Sequence, residues 1–100
     1  MKFDMSYNTT LKDIQEVKKL LDLFKNPKGL VLVYDINGKV FKRLITNISI
    51  QADNKDFYYV KINAKEVLYN LGVGDLSMEL PCEFETSYGK FPVKLKIMGA

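Results

Sequence analysis

Apolar residues recur along this chain in two rhythms, and the change from one to the other divides it. At Leu11, Ile14, Val17, Leu21 and Phe24 they stand 3, 3, 4 and 3 residues apart, one stripe of a helix, and Leu20 and Leu23 widen it. Thr10 opens that helix, with Asp13 three positions on as the N3 partner of a capping-box-like pair. Asp13 and Glu16 lie early and Lys18, Lys19 and Lys25 lie late, the order the helix dipole favours. Asn26-Pro27 stops the helix, because a residue before proline is pushed out of the helical region, and Lys28-Gly29 completes a turn. The expected helix spans about 10–25, behind an arm of mixed polarity at residues 1–9.

From Leu30 onward the rhythm is that of strands, expected at about 30–36, 40–51, 57–63, 76–85 and 91–98. Leu30 to Tyr34 is apolar on both faces, as in a covered central strand. Asn37-Gly38 is the sequence of a type I′ hairpin turn, which pairs Tyr34 with Phe41 and Leu32 with Arg43. In the third strand Tyr58, Val60 and Ile62 face one way, and Phe57, Tyr59 and Lys61 face the other. Leu76, Met78, Leu80, Cys82 and Phe84 alternate with polar residues, and so do Phe91, Val93, Leu95 and Ile97. The loop around Ser87-Tyr88-Gly89-Lys90 sets Phe84 opposite Val93, Cys82 opposite Leu95 and Glu83 across from Lys94. Pro81 marks an edge strand or a bulge. Between Asn63 and Gly72 a short helix is expected near 64–70, with Asn63 as its cap; the other reading continues the strand to Val67.

These elements make a single α+β domain over residues 1–100, an N-terminal helix packed on an antiparallel, hairpin-rich sheet that curls into a β-sandwich or split barrel. The helix should give the core Ile14, Val17, Leu21 and Phe24. The first strands should give Leu32, Ile48, Val60 and Ile62, and the last hairpin Leu80, Phe84, Val93, Leu95 and Ile97. With 47% apolar residues and only 6 Gly and 3 Pro, the composition is that of a folded chain. Its folded surface should be roughly 5,800 Å².

Composition then removes chemistry. There is no histidine and one cysteine, Cys82, so zinc ligation by clustered Cys and His, Ser-His-Asp or Cys-His catalysis, and an internal disulfide are all excluded. The chain is expected not to be an enzyme and to carry no metal and no cofactor. No apolar run approaches the length of a membrane span, and Met1-Lys2-Phe3-Asp4 with no apolar stretch after it predicts no secretory signal. A net charge of +3 is not by itself a nucleic-acid signature.

The remaining motifs each have a plain structural account. Lys90, Lys94 and Lys96 form either a phosphate ridge or the partners of Glu79, Glu83 and Glu85, and cross-strand pairing explains both rows at once. Three carboxylates on one exposed strand are not the facing pair of a glycosidase. Asp53, Asn54 and Asp56 lack the glycine and distant glutamate of a calcium loop. Gln51 to Tyr58 has the outline of a sliding-clamp-binding peptide, with Asn54 where an aliphatic residue is needed. Cys82 reads as a small buried hydrophobe. Phe57, Tyr59 and Lys61 have three readings: core under the helix, a protein interface, or a platform that stacks on single-stranded bases. They are the candidate interface residues.

From Glu16 to Val67 the chain runs through a helix ending L-L-D-L-F-K, then N-P-K-G-L-V-L-V-Y-D, N-G-K-V-F-K-R-L-I-T-N-I-S-I, a charged loop, and F-Y-Y-V-K-I-N-A-K-E-V. This order is similar to the later part of the distal-tail-like domain of phage baseplate proteins. The resemblance covers about half the chain and is carried by apolar and turn positions. It implies a β-sandwich or split barrel with one packed helix. It also implies a structural, non-enzymatic role in a ring or hub of the virion tail, assembled in the host cytoplasm. The partners would be other tail or baseplate proteins and further copies of the chain, rather than nucleic acid or membrane. Members of that family have several strands before the helix, where this chain has about ten residues. The alternative is a small phage- or plasmid-encoded inhibitor or a single-stranded nucleic-acid-binding module.

Overall fold

A computed structural model of the protein describes residues 4–25, 29–52, 57–67 and 70–99. The elements are β1 (Asp4–Leu11), α1 (Ile14–Phe24), β2 (Leu30–Ile36), β3 (Lys39–Ala52), β4 (Tyr58–Lys65), β5 (Leu76–Thr86) and β6 (Gly89–Gly99). All strands belong to one antiparallel sheet in the order β1-β4-β3-β2-β6-β5. The sheet curls until its two edges, β1 and β5, meet, which makes a nearly closed barrel with one helix, an α+β fold as expected. No ladder joins β1 to β5. The Thr9 hydroxyl donates to the Pro81 carbonyl, and the Cys82 thiol donates to the Asn8 carbonyl at 3.3 Å. Pro81 has no N–H to give a ladder, so β5 is an edge strand, one of the two readings its proline allowed.

The first correction is at the N-terminus. Residues 4–11 are a strand, and Thr10 does not open the helix. Met5, Tyr7, Thr9 and Leu11 alternate inward, and Tyr7, Thr9 and Leu11 are buried. Asp13 is itself the N-cap: its backbone is extended, and its carboxylate accepts from the Gln15 N–H at 2.8 Å. The helix consequently begins at Ile14 and buries Val17 and Leu20, with Leu23 half-buried. Ile14, Leu21 and Phe24, expected in the core, are exposed at 42%, 42% and 36%. Asn26 to Lys28, where the helix was expected to stop, lie outside the described residues.

The β2–β3 hairpin follows its turn. Asn37 and Gly38 both have positive φ, 53° and 86°, and the Asp35 carboxylate accepts the Gly38 N–H at 2.8 Å. Tyr34 faces Phe41 and Leu32 faces Arg43, as that turn requires. β3 is long enough to serve two neighbours in succession, pairing Lys39 to Leu44 with β2 and Leu44 to Ala52 with β4. A bulge between Ile45 and Asn47 resets its alternation, so that Ile45 and Ile48 both point inward. β4 runs on to Lys65, which overturns the expected helix near 64–70 over its first residues. Asn63 is not a cap. It pairs with Ser6 on one side and Asn47 on the other, and strands on both edges hold Ala64 and Lys65 extended. Glu66 and Val67 have no regular structure, and Leu68 and Tyr69 lie outside the described residues.

The last hairpin turns on two residues, Ser87 and Tyr88, with Gly89 at φ 124°. That tight turn sets Phe84 opposite Phe91, Cys82 opposite Val93 and Glu83 opposite Pro92, two residues away from the expected register. A bulge between Leu76 and Met78 turns Leu76 outward, where it is 49% exposed.

The core fills the barrel. Leu32, Val60, Ile62, Leu80, Leu95 and Ile97 are exposed at 1% or less, and Ile48 and Val93 join them. Burying each such side chain fully contributes about 1.5–3 kcal/mol. Val31, on the opposite face of β2 from Leu32, is also fully buried, so the doubly apolar strand is covered on both sides as its sequence implied. Beside it, the Gly74 N–H bonds the Gly99 carbonyl at 2.7 Å and ties the segment before β5 to the end of β6.

Candidate functional site

Outward-facing residues of β1, β4 and β3 form rows set by the ladder. Tyr59 lies between Thr10 and Gln51, Lys61 between Asn8 and Ser49, and Asn63 between Ser6 and Asn47. Each strand supplies this face because its other face fills the barrel: Tyr7 and Thr9, Val60 and Ile62, Ile48. The centre of the face is open, with Tyr59 51% exposed and Asn8, Thr10, Ser49, Gln51 and Lys61 exposed. The core reading of Tyr59 and Lys61 is therefore set aside. Phe57 is half-buried just before β4, with the Lys12 ammonium 5.4 Å from its ring. Two side-chain bonds order the third row: Asn63 Nδ2 donates to Ser6 Oγ at 3.1 Å, and Asn47 Nδ2 donates to Ser49 Oγ at 3.2 Å.

Across the β1–β5 seam the face meets Pro81, Glu83 and Pro92. Together they line a groove of about 680 Å³, with Thr9 and Cys82 from the seam and Tyr59 and Lys61 from β4 among its lining residues. Phe57 is not among its lining residues. The structure thus brings two of the three expected interface residues into one concave site and leaves the third beside Lys12. Sequence reasoning missed Asn8, Thr10, Ser49 and Gln51. The signal for the first two was present in the alternation of Met5, Tyr7, Thr9 and Leu11, which places Ser6, Asn8 and Thr10 on the opposite face.

Elsewhere, polar groups are arranged for stability. Inside the barrel the Tyr7 and Tyr34 hydroxyls are 2.8 Å apart, and the Tyr7 hydroxyl donates to Met5 Sδ at 3.2 Å. Tyr34 stacks on Phe41 at 5.1 Å and meets Phe84 edge-on at 5.5 Å. Lys39 and Arg43 lie 5.2 and 5.3 Å from the Phe41 ring. Burial, then the bond to Tyr34, push the Tyr7 hydroxyl well above the ordinary tyrosine range, against a smaller downward pull from Arg43. Burial likewise pushes the Cys82 thiol up, the opposite of what a reactive thiolate requires.

Lys90 reaches Glu83 at 3.8 Å and Lys96 stands opposite Glu79, while Lys94 faces Pro81 rather than Glu83. Asp53, Asn54 and Asp56, and with them the middle of the clamp-peptide outline, lie outside the described residues. Among the described residues there is no group of three or more Cys, Asp or Glu placed to hold a metal ion, and no helix is long and apolar enough to cross a membrane. The arrangement can therefore bind through stacking and hydrogen bonding at the groove. The chain matches no protein-family model, no curated protein and no solved structure.

Proposed function

We propose that this chain acts without catalysis, as a structural component of a phage tail baseplate or tail-like particle, through contacts with neighbouring proteins. The observation that carries this reading is the apolar surface that α1 leaves exposed. The helix holds the barrel with Val17 and Leu20 and turns Ile14, Leu21 and Phe24 to solvent. Large apolar side chains left partly exposed along the buried stripe of a helix suit burial against another protein surface. Phe57 lies under Lys12, just ahead of the helix. One strand, β1, precedes the helix, where members of that family have several.

Sedimentation of the native protein from its source lysate, with mass spectrometry across the gradient, tests the reading. The chain should travel in a fast particle with other tail-sized proteins. A variant with Ile14, Leu21 and Phe24 each changed to Ser should keep its fold and stay at the top of the gradient. A native chain that sediments slowly, as a free monomer or dimer, sinks the tail reading.

One observation favours a second reading, a single-stranded nucleic-acid-binding module: Tyr59 and Lys61 are exposed side by side on β4. Anisotropy of a labelled oligonucleotide at low and moderate salt decides it, because phosphate contacts weaken steeply as salt rises.

A further inference from the structure

We propose that the outer face of β1, β4 and β3, with the groove beside it, is a binding site for a neutral oligosaccharide. The inference comes from what this face carries and does not depend on the tail reading. Of its nine outward positions from Ser6 to Thr10, Asn47 to Gln51 and Tyr59 to Asn63, seven are amides or hydroxyls. The others are Tyr59 and Lys61, and no position is a carboxylate or an aliphatic side chain. The chain as a whole is 27% charged, so one charge in nine positions is a departure from the rest of the molecule. A sheet face that only needs solvation is served by Lys and Glu, as the outer face of β5 and β6 is. A face meant for another protein would centre on apolar anchors.

Amides and hydroxyls both donate and accept hydrogen bonds, which matches the hydroxyls of a sugar ring and no single charged group. Lys61 is the one cation among the nine positions, and the groove's carboxylate, Glu83, is paired with Lys90. A single cation argues against a polyphosphate chain, whose binding requires several along one track. Tyr59 supplies the remaining need. Its exposed ring is a flat apolar surface for the C–H face of a pyranose, and its hydroxyl adds a polar handle. Pro81 and Pro92 also line the groove, with rings that offer no donor. A volume of about 680 Å³ gives room for a short oligosaccharide. The bonds from Asn63 to Ser6 and from Asn47 to Ser49 hold part of the array in place before any ligand arrives.

The test is titration of ¹⁵N-labelled protein with chitohexaose, cellohexaose and maltohexaose, each up to about 10 mM, a range that detects millimolar affinity. At least one should give saturable shifts centred on the amides of residues 8–10, 49–51 and 59–61, unchanged by added salt. Tyr59→Ala should weaken that binding at least about tenfold while leaving the urea midpoint where it was. Should that variant fail to fold, Gln51→Ala, at an exposed position, must show the weakening instead. The proposal is overturned if none of the three sugars moves these amides. It is equally overturned if neither variant weakens the response, or if the decanucleotide of thymidine shifts the same amides in a salt-dependent way.

Discussion

At the scale of single residues, the barrel interior is not purely oily, and its polar atoms decide how stability responds to pH. The buried Tyr7 hydroxyl is paired with that of Tyr34. Tyr7→Phe leaves the Tyr34 hydroxyl without that partner and should cost about 1–3 kcal/mol in urea unfolding at neutral pH. In the unfolded chain the phenol releases its proton near pH ~10, whereas in the folded state burial holds the proton on to higher pH. Tyr7 therefore contributes its full stability below about pH 10. Above that, the contribution falls by up to about 1.4 kcal/mol per pH unit. The gap between the wild type and Tyr7→Phe should narrow as pH rises from about 9 to about 11; a constant gap would remove this account. The same residue explains why β1 was hard to see. Its inward side is Met5, Tyr7, Thr9 and Leu11, and the buried hydroxyl of Thr9 breaks what would otherwise read as an apolar alternation. Thr9 is polar because the seam needs its donor, a requirement set by a residue far along the chain.

At the scale of elements, local signals were read correctly where the local chain decides the outcome and wrongly where a distant strand does. Asn37-Gly38 fixes the β2–β3 register within its own hairpin, and the register came out as expected. Leu11 fitted a helical stripe equally well as the end of a strand, and only its pairing with Tyr58 settles which. Once β1 ends there, Asp13 becomes the cap, and the helix rotates so that Leu20 is buried and Leu21 is not. Asp13→Ala should then cost about 0.5–2 kcal/mol, measured by urea unfolding. Thr10→Ala should cost clearly less, since Thr10 is exposed and caps nothing. The reverse order of costs would return the helix start to Thr10. The last hairpin shows the same division. Its inward residues were legible by alternation, but its register hung on which two residues form the turn, and Ser87-Tyr88 carries no strong turn preference. The candidate site was legible to the same degree. The face of Tyr59 and Lys61 followed from the period of β4, while its neighbours belong to strands whose pairing no local pattern reveals.

At the scale of the whole molecule, the barrel is shallow and its seam is its weakest join. The chain exposes 6880 Å², against the roughly 5,800 Å² of a typical monomer of this mass, and measures 40 × 38 × 24 Å. All other neighbouring strands share a hydrogen-bonded ladder, whereas β1 and β5 are joined by side-chain donors to backbone carbonyls. Thr9→Val keeps the shape and removes one of those donors. It should cost about 1 kcal/mol and speed amide exchange in β5 more than in β3, which has partners on both sides. Equal acceleration across the sheet would mean that the seam does not open separately.

The strand order carries a further consequence for how the chain is made. β1 precedes every other strand of the sheet, yet its ladder partner is β4, whose last residue is Lys65. The β2–β3 and β5–β6 hairpins each close as soon as their second strand emerges. During synthesis β1 has no ladder partner until Tyr58 to Lys65 are out, and the barrel cannot shut before Pro81 and Cys82 arrive. The opening strand waits for the nascent chain to supply both of its neighbours, and with so many amide and hydroxyl side chains it is suited to waiting in water.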